Sequence, residues 1–188
     1  MDFGLFNLLQ HRDRSKTSQE LINEALDHTR AAEEMGFSRV WFAEHHFSNY
    51  SLVPSPLMMC AHVAAMTKRI RVGSAVVILP LHTPARLIAE IAVVDSLSNG
   101  RLDVGVGSGY QNYEFERLGA DIANNKVMFH EMLDMIELGL RQPHFSYDGT
   151  YFKQKQTAIN VRPVQAPRPP IWLAGKDPES HRRCARDG

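Results

Sequence analysis

Short runs of apolar residues alternate along the chain with longer segments in which apolar residues recur every three or four positions. The short runs are typical of buried strands, and the longer segments are typical of helices. The pattern predicts strands at residues 2–9, 39–43, 71–79, 102–107 and 171–174. Strand–helix units therefore begin near residues 3, 39, 71 and 102, roughly 30 to 35 residues apart.

The predicted helices begin at recognisable N-terminal signals. Thr17 and Glu20 have the spacing of a capping box. Ser55–Pro56, Thr83–Pro84 and Asp177–Pro178 each pair a capping side chain with a proline at the first helical position. The helix after Thr83 has a wide apolar face, which predicts a helix in the core or in a dimer interface; that face comprises Leu87, Ile88, Ile91, Val94 and Leu97.

Alternating strands and helices at this spacing predict parallel strands joined by right-handed crossovers. A doubly wound sheet and a (β/α)8 barrel both satisfy this rule. Polar clusters follow the second, third and fourth strands, as in a barrel whose site is surrounded by βα loops, whereas a doubly wound sheet concentrates them at one switch point. We therefore expect an α/β chain that forms the first five βα units of a (β/α)8 TIM barrel.

The remaining segments complete this single-domain prediction. Residues 108–125 are polar and aromatic and are expected to form a loop beside the site. Residues 144–161 alternate around an Asp-Gly turn and predict a hairpin inserted outside the main repeat. A full barrel needs about 250 residues. With 188 residues, the domain 1–188 is expected to be a barrel truncated at its C-terminus.

Composition and charge narrow the classes of function. Lys plus Arg and Asp plus Glu both number 21, so no charge excess indicates nucleic acid or an anionic membrane as a partner. No apolar run approaches the roughly 18 residues of a membrane span, and the N-terminus lacks signal-peptide features, so we expect a cytoplasmic protein. Cys60 and Cys184 have no metal-ligand spacing and are interpreted as reduced thiols.

A titratable cluster follows the second predicted strand. Residues 41–47 read Trp-Phe-Ala-Glu-His-His-Phe, which places Glu44, His45 and His46 at the end of an apolar run. Successive side chains of a strand point to opposite faces, so the two histidines are not expected to bind one metal ion. The cluster is a candidate for catalysis, with a hydrogen-bonded pair that only fastens a loop as the alternative.

Two further segments have the composition of ligand-binding loops. Residues 105–109 are rich in glycine, but Tyr110 stands where a dinucleotide fingerprint needs its third glycine. These glycines indicate either close approach of a flat ring or phosphate, or a tight turn. Gly175, Lys176 and Ser180 surround a helix N-terminus that could hold a phosphate, although simple capping explains the same residues.

Several stretches resemble the bacterial luciferase-like flavin-dependent monooxygenases. They occur in the order and spacing of that family and cover nearly the whole chain, at residues 2–4, 41–47, 72–80, 95–102 and 169–174. The Glu-His-His-Phe form is similar to the branch that uses flavin mononucleotide (FMN). The related branch that uses the deazaflavin F420 more often has Asp-His before the Phe.

The resemblance implies a barrel that binds reduced FMN, supplied by a separate flavin reductase, at its C-terminal mouth. It implies that O2 oxidises a small organic substrate there and that the protein is a homodimer without a metal. His45 would be the acid/base, with His46 and Glu44 beside it in the site. The Ala75–Val76 peptide would be cis. The expected cofactor contacts are Ala75, Val76, Gly107, Ser108, Gly109, Tyr110, Gly175, Lys176 and Ser180.

Departures from the family pattern and competing functions stay open. Gly107 stands where true luciferases have a reactive cysteine, and Ser108 where they have an arginine that meets the flavin phosphate, which argues against light emission. An F420-dependent oxidoreductase that transfers hydride is the alternative enzyme. A non-catalytic flavin-binding relative is the alternative from another class, and a metal hydrolase using Glu44, His45 and His46 is the least favoured.

Overall fold

The computed structural model describes residues 1–187, in which strands and helices alternate. The strands are β1 (Gly4–Asn7), β2 (Arg39–Phe42), β3 (Arg71–Ile78), β4 (Leu102–Gly107), β5 (His144–Asp148), β6 (Lys153–Ala158) and β7 (Ile171–Ala174). The helices are α1 (Ser18–Glu34), α2 (Pro56–Met66), α3 (Pro84–Leu97), α4 (Asn112–Leu118), α5 (Asn125–Arg141) and α6 (Pro178–Asp187).

The main sheet of the described chain has the order β1-β2-β3-β4-β7, and each neighbouring pair is parallel. This sequential order is the order in which strands follow one another around a (β/α)8 barrel. The predicted α/β fold with parallel strands is therefore confirmed. The sheet is an arc and does not close into a barrel within residues 1–187.

One face of the arc is covered by helices. In β2, Val40 and Phe42 are completely buried, whereas Arg39 and Trp41 between them are only half-buried. The buried face packs against apolar side chains of α3 and α5, among them Ile88, Ile91, Met132 and Ile136. On the other face Trp41 contacts Trp172 edge to face, with ring centroids 5.5 Å apart. The alternation along β2 thus separates a helix-covered core from an open concave face.

Several local predictions are confirmed. Thr17 and Glu20 form the predicted capping box. The antiparallel hairpin of β5 and β6 lies within residues 144–161. The Ala75–Val76 peptide is cis. Asp177 caps α6, because its carboxylate accepts the Ser180 N–H at 2.9 Å.

Other local predictions are wrong. Residues 108–125 contain α4 and a short 3-10 turn at Ile122–Asn124 and are not simply a loop. Leu97 is 60% exposed, although Val94 and Asp95 in the same last turn of α3 are buried. Ser55 and Thr83 occupy N-cap positions, but their hydroxyls donate or accept no capping hydrogen bond. Among the described residues, none of the helices is both long and apolar enough to cross a membrane.

Candidate active site

A cavity of about 1050 Å³ opens at the carboxyl ends of the parallel strands, and we call it the mouth cavity. Each strand of the main sheet, or the residue directly after it, contributes to the cavity, from Phe6 in β1 to Ala174 at the end of β7. Catalytic residues of (β/α)8 barrels lie at this end of the strands. Its lining comprises Phe6, Leu8, Ala43, Glu44, His45, Tyr50, Ala75, Val76, Ile78, Gly107, Ser108, Gly109, Tyr110, Lys126, Ala174, Gly175, Lys176, Asp177 and Pro178.

His45 is held in the wall of the mouth cavity by a buried carboxylate. Its Nδ1 lies 3.0 Å from Oε1 of Glu114, a side chain with no exposed surface. The same oxygen accepts the backbone N–H of His46 at 2.8 Å. Oε1 is the acceptor of both hydrogen bonds, so the proton shared with Glu114 lies on Nδ1 of His45. A general base at this position would use Nε2, the other ring nitrogen.

Aromatic rings surround the His45 imidazole. Tyr50 contacts it edge to face with centroids 4.7 Å apart, and Tyr110 does so at 6.1 Å. Both tyrosines line the mouth cavity. Only 8% of His45 is exposed, so the rings limit the access of water to its free nitrogen.

His46 serves a different carboxylate and lies outside the mouth cavity. Its Nε2 donates to Glu44 Oε1 at 2.8 Å, and Glu44 also accepts from His82 at 3.0 Å and from the Ile78 N–H at 2.8 Å. The bond to Glu44 raises the pKa of His46. Burial alone would raise the pKa of Glu44, but the bonds from His46, His82 and Ile78 outweigh it and lower that pKa.

The two histidines therefore diverge, although not for the reason that the sequence suggested. Strand β2 ends at Phe42, and both histidines follow it in irregular backbone that reaches a positive φ of 58° at Phe47. Their separation comes from two buried acids, Glu114 and Glu44, which draw the rings apart. Within residues 1–187, no three His, Cys, Asp or Glu side chains are arranged to hold a metal ion.

The residues expected to contact a cofactor fall into two groups. All except Ser180 line the mouth cavity. Ser180 is buried behind it, where its hydroxyl donates to Asp177 Oδ2 at 2.7 Å. The structure thus favours capping as the role of Ser180. The hydrogen bonds from Ser180 also hold the pKa of Asp177 well below its usual range.

The glycine-rich segment at the end of β4 is explained mainly by close packing. A Cβ on Gly105, within β4, would overlap the Ser74 carbonyl oxygen of the neighbouring strand. Gly109 has a φ of +75°, and a side chain there would meet Ile78 and Phe115. Asn125 Nδ2 donates to the carbonyls of Ser108 at 3.1 Å and Gly109 at 2.9 Å. The glycines therefore allow close packing where β4 leads into a short loop that lines the mouth cavity.

Two lysines line the mouth cavity. Lys126 is the second residue of α5, and Lys176 precedes α6. The neighbouring carboxylate, Asp177, accepts from Ser180 and lies 3.5 Å from His130 Nε2. Two lysines beside two helix N-termini suit an anionic group of a ligand. The lining of the mouth cavity therefore combines the His45 imidazole with two lysines.

The sequence analysis missed Glu114, His82, Lys126 and Asn125. Glu114 lies 69 residues after His45 and in a segment predicted to be a loop, so no spacing rule connects the two. The one available signal was an acid among aromatic residues directly after the fourth strand.

Comparisons with known proteins place the chain in a family. A family model described as luciferase-like monooxygenase matches residues 1–188. The oxygenase component of a flavin-dependent trigonelline monooxygenase from Acinetobacter baylyi is 32% identical over 190 residues, covering 100% of this chain and 52% of that protein. The chain spans about half the length of the curated relatives it matches.

Solved structures share the fold. The monooxygenase RslO1 from Streptomyces bottropensis has a TM-score of 0.94 at 28% identity, covering 100% of this chain and 57% of that one. An F420-dependent secondary alcohol dehydrogenase in complex with an F420-acetone adduct has a TM-score of 0.79 at 19% identity. The match covers 95% of this chain and 53% of that one. At that lower identity the likeness concerns the fold alone.

Proposed function

Because the chain belongs to the luciferase-like monooxygenase family, we propose that it forms the catalytic half-barrel of a flavin-dependent monooxygenase. The reaction uses reduced FMN and O2 to oxidise a small organic substrate. A relative that is the oxygenase component of a flavin-dependent enzyme supports a separate flavin reductase as the partner that delivers the reduced flavin. The observation that carries the proposal is the His45–Glu114 pair in the wall of the mouth cavity.

The residues of the mouth cavity fit an FMN molecule. Its volume of about 1050 Å³ is ample for a ligand of this size. Lys126, Lys176 and the amides at the start of α6 would hold the phosphate. The segment Gly107–Tyr110 and residues Ala75 and Val76 would contact the flat isoalloxazine ring. When bound, reduced FMN supplies the electrons with which O2 is activated.

His45 is the acid/base in this proposal. Glu114 holds the proton on Nδ1, so Nε2 is the atom that accepts or returns a proton in the mouth cavity. Tyr50 and Tyr110 shield that nitrogen from water. Glu44 accepts hydrogen bonds from the Ile78 N–H and from His82, and so fixes the segment that follows β2. His46 lies outside the mouth cavity and contributes through its hydrogen bond to Glu44.

The test compares His45→Ala with the wild type and with His28→Ala, a change at an exposed histidine of α1. Turnover with reduced FMN and O2 should fall roughly 10²–10⁴-fold in His45→Ala, as expected for loss of a general acid/base. Flavin affinity should change little, because Lys126 and Lys176, the proposed phosphate ligands, are unchanged. Glu114→Gln should lower turnover by a smaller factor, since its amide oxygen can still accept the Nδ1 proton. Full turnover in His45→Ala contradicts the assignment.

A hydride-transferring enzyme with F420 is the second candidate. The structural likeness to an F420-dependent alcohol dehydrogenase supports it at the level of fold. The Glu-His-His-Phe segment favours FMN instead. The absorption spectrum of the flavin retained by the purified protein separates the two cofactors, and retained flavin without turnover of any substrate would indicate a non-catalytic relative.

We also infer a homodimer. A groove of about 610 Å³ lies between α2 and α3 on the outside of the arc. Met58, Val93 and Leu97 line it and are 72%, 41% and 60% exposed. Exposed apolar side chains clustered in one groove are typical of a protein–protein interface. The wide apolar face of α3 is thus shared between the core and this proposed interface.

A further inference from the structure

A second cavity, which we call the side cavity, lies on the other side of His45 and has a volume of about 570 Å³. Two loops form it, the one between β1 and α1 and the one between β2 and α2. Its lining comprises His11, Arg14, His45, His46, Phe47, Ser48, Asn49, Ser51, Leu52 and Pro54. Its volume lies within the range of small-molecule sites.

Backbone hydrogen bonds join the two loops into one wall. The Leu52 N–H donates to the Leu9 carbonyl at 3.2 Å, and the His11 N–H donates to the Asn49 carbonyl at 2.9 Å. Asn49 Nδ2 returns a bond to the His11 carbonyl at 3.3 Å, and His11 Nε2 donates to the Lys16 carbonyl at 2.9 Å. These contacts fix both loops at the positions where the side cavity opens.

Arg14 is the permanently charged side chain in the lining of the side cavity. The lining also contains three histidines and no carboxylate. The acids that pair with two of these histidines, Glu44 and Glu114, are 2% and 0% exposed. Asp13, which precedes Arg14, accepts from Ser15 and does not line the cavity. The charge that a ligand meets in the wall of the side cavity is therefore that of Arg14.

We propose that the side cavity binds a small organic carboxylate, with the carboxylate at Arg14 and the apolar part against Phe47, Leu52 and Pro54. A guanidinium binds a carboxylate through two parallel hydrogen bonds, which makes Arg14 the expected anchor. The apolar side favours an organic acid over a bare phosphate ion.

His45 connects this ligand to the chemistry of the mouth cavity. It is a residue that lines both cavities, so a ligand of the side cavity lies against the same ring that borders the mouth cavity. The proposal concerns binding in the side cavity and does not depend on the flavin function proposed above.

The test uses benzoate and its neutral analogue benzamide as probes, with binding measured by isothermal titration calorimetry. The variant is Arg14→Gln, and the control is Arg12→Gln, which changes an exposed arginine two residues away that does not line the side cavity. Benzoate should bind, and benzamide should bind at least about tenfold more weakly. Arg14→Gln should lower the affinity for benzoate about tenfold, because a charge-assisted hydrogen-bonded pair is lost. Arg12→Gln should leave the affinity for benzoate unchanged.

Saturating FMN locates the bound benzoate. Benzoate affinity should be the same with and without FMN, because the two ligands occupy different cavities. Competition between them, equal affinities for benzoate and benzamide, or an unaffected Arg14→Gln variant would each overturn the proposal. FMN binding is measured separately in the same samples, so its failure would count against the flavin function and not against the carboxylate site.

Discussion

At the scale of single residues, the buried acids determine what the histidines can do. Glu114 has no exposed surface, and its Oε2 has no hydrogen-bond partner within the described residues. Burying a carboxylate in this way costs stability unless its bonds compensate. Here the compensation comes from His45 Nδ1 and the His46 N–H, so the same two bonds that stabilise the buried acid also orient the His45 ring, the proposed acid/base.

The Glu44–His46 pair predicts a pH dependence of stability. The raised pKa of His46 means that its contribution is fully present below the ordinary value of 6.5 and is lost as the pH rises through the folded value. The lowered pKa of Glu44 means that its contribution is present above 4.5 and is lost as the pH falls. The pair therefore stabilises the fold most at mildly acidic pH.

The measurement is the free energy of unfolding in urea at about pH 6 and about pH 9 for the wild type and for His46→Gln. The difference between the two proteins should be larger near pH 6. His28→Gln, at an exposed position, should show no such trend. A difference between the wild type and His46→Gln that stays constant with pH would contradict the pairing.

At the scale of elements, single side chains tie helices to loops that have no regular structure. Glu33, in the last turn of α1, accepts the N–H groups of Lys68, Arg69 and Ile70 at 2.9, 2.7 and 2.9 Å. It thereby fixes the turn that leads into β3, whose far end lines the mouth cavity. Burial opposes ionisation of Glu33, yet these three bonds hold its pKa below the ordinary value.

Glu33→Ala should lower the free energy of unfolding by about 1–3 kcal/mol, because it leaves three turn amides without their acceptor. Glu34→Ala changes the neighbouring exposed residue of the same helix and should alter stability by less than about 0.5 kcal/mol. Urea unfolding of the three proteins checks this. Equal effects of the two substitutions would show that the turn does not depend on Glu33.

Elements with a clear period were predictable, and elements stabilised by distant contacts were not. The strands and long helices follow from apolar spacing and from caps such as Thr17. Helix α4 was missed because it has two turns and owes its stability to Phe115 and Glu114, which pack against residues far away in the chain. Leu97 was misjudged because periodicity identifies an apolar face but does not show which of its residues are buried.

The candidate site shows the same division. Spacing and resemblance identified Glu44 and His45, and all the expected cofactor contacts except Ser180 line the mouth cavity. The placement of His46 outside that cavity depends on Glu44, Glu114 and His82, which converge only in the folded chain. Long-range pairing of this kind leaves no local pattern in a sequence.

At the scale of the whole molecule, the arc has a concave and a convex face, and each carries exposed apolar side chains. The concave face carries Phe6 and Trp172, which are 53% and 47% exposed at the two edge strands of the sheet. The convex face carries the groove between α2 and α3, which we propose as the dimer interface. The mouth cavity opens at the carboxyl ends of the strands and includes Phe6 of the concave face.

Substitution of Met58 by Glu should separate the proposed dimer. Met58 is 72% exposed in the groove, so a charge there costs little in the free protomer but would be buried in the dimer. Sedimentation at micromolar concentration should show dimers for the wild type and monomers for Met58→Glu. Leu118→Glu, at an exposed position outside the groove, should remain dimeric. A monomeric wild type would contradict the interface.

Binding of FMN to the mouth cavity is the central claim, and titration of the protein with FMN and with riboflavin, followed by flavin fluorescence, tests it most directly. Riboflavin lacks the phosphate that Lys126 and Lys176 are proposed to hold. One molecule of FMN should bind per chain, and riboflavin should bind about tenfold or more weakly than FMN. In the Lys176→Gln variant the difference in affinity between FMN and riboflavin should be smaller. No binding of either flavin, or equal binding of both that Lys176→Gln leaves unchanged, would contradict the assignment of the mouth cavity to FMN.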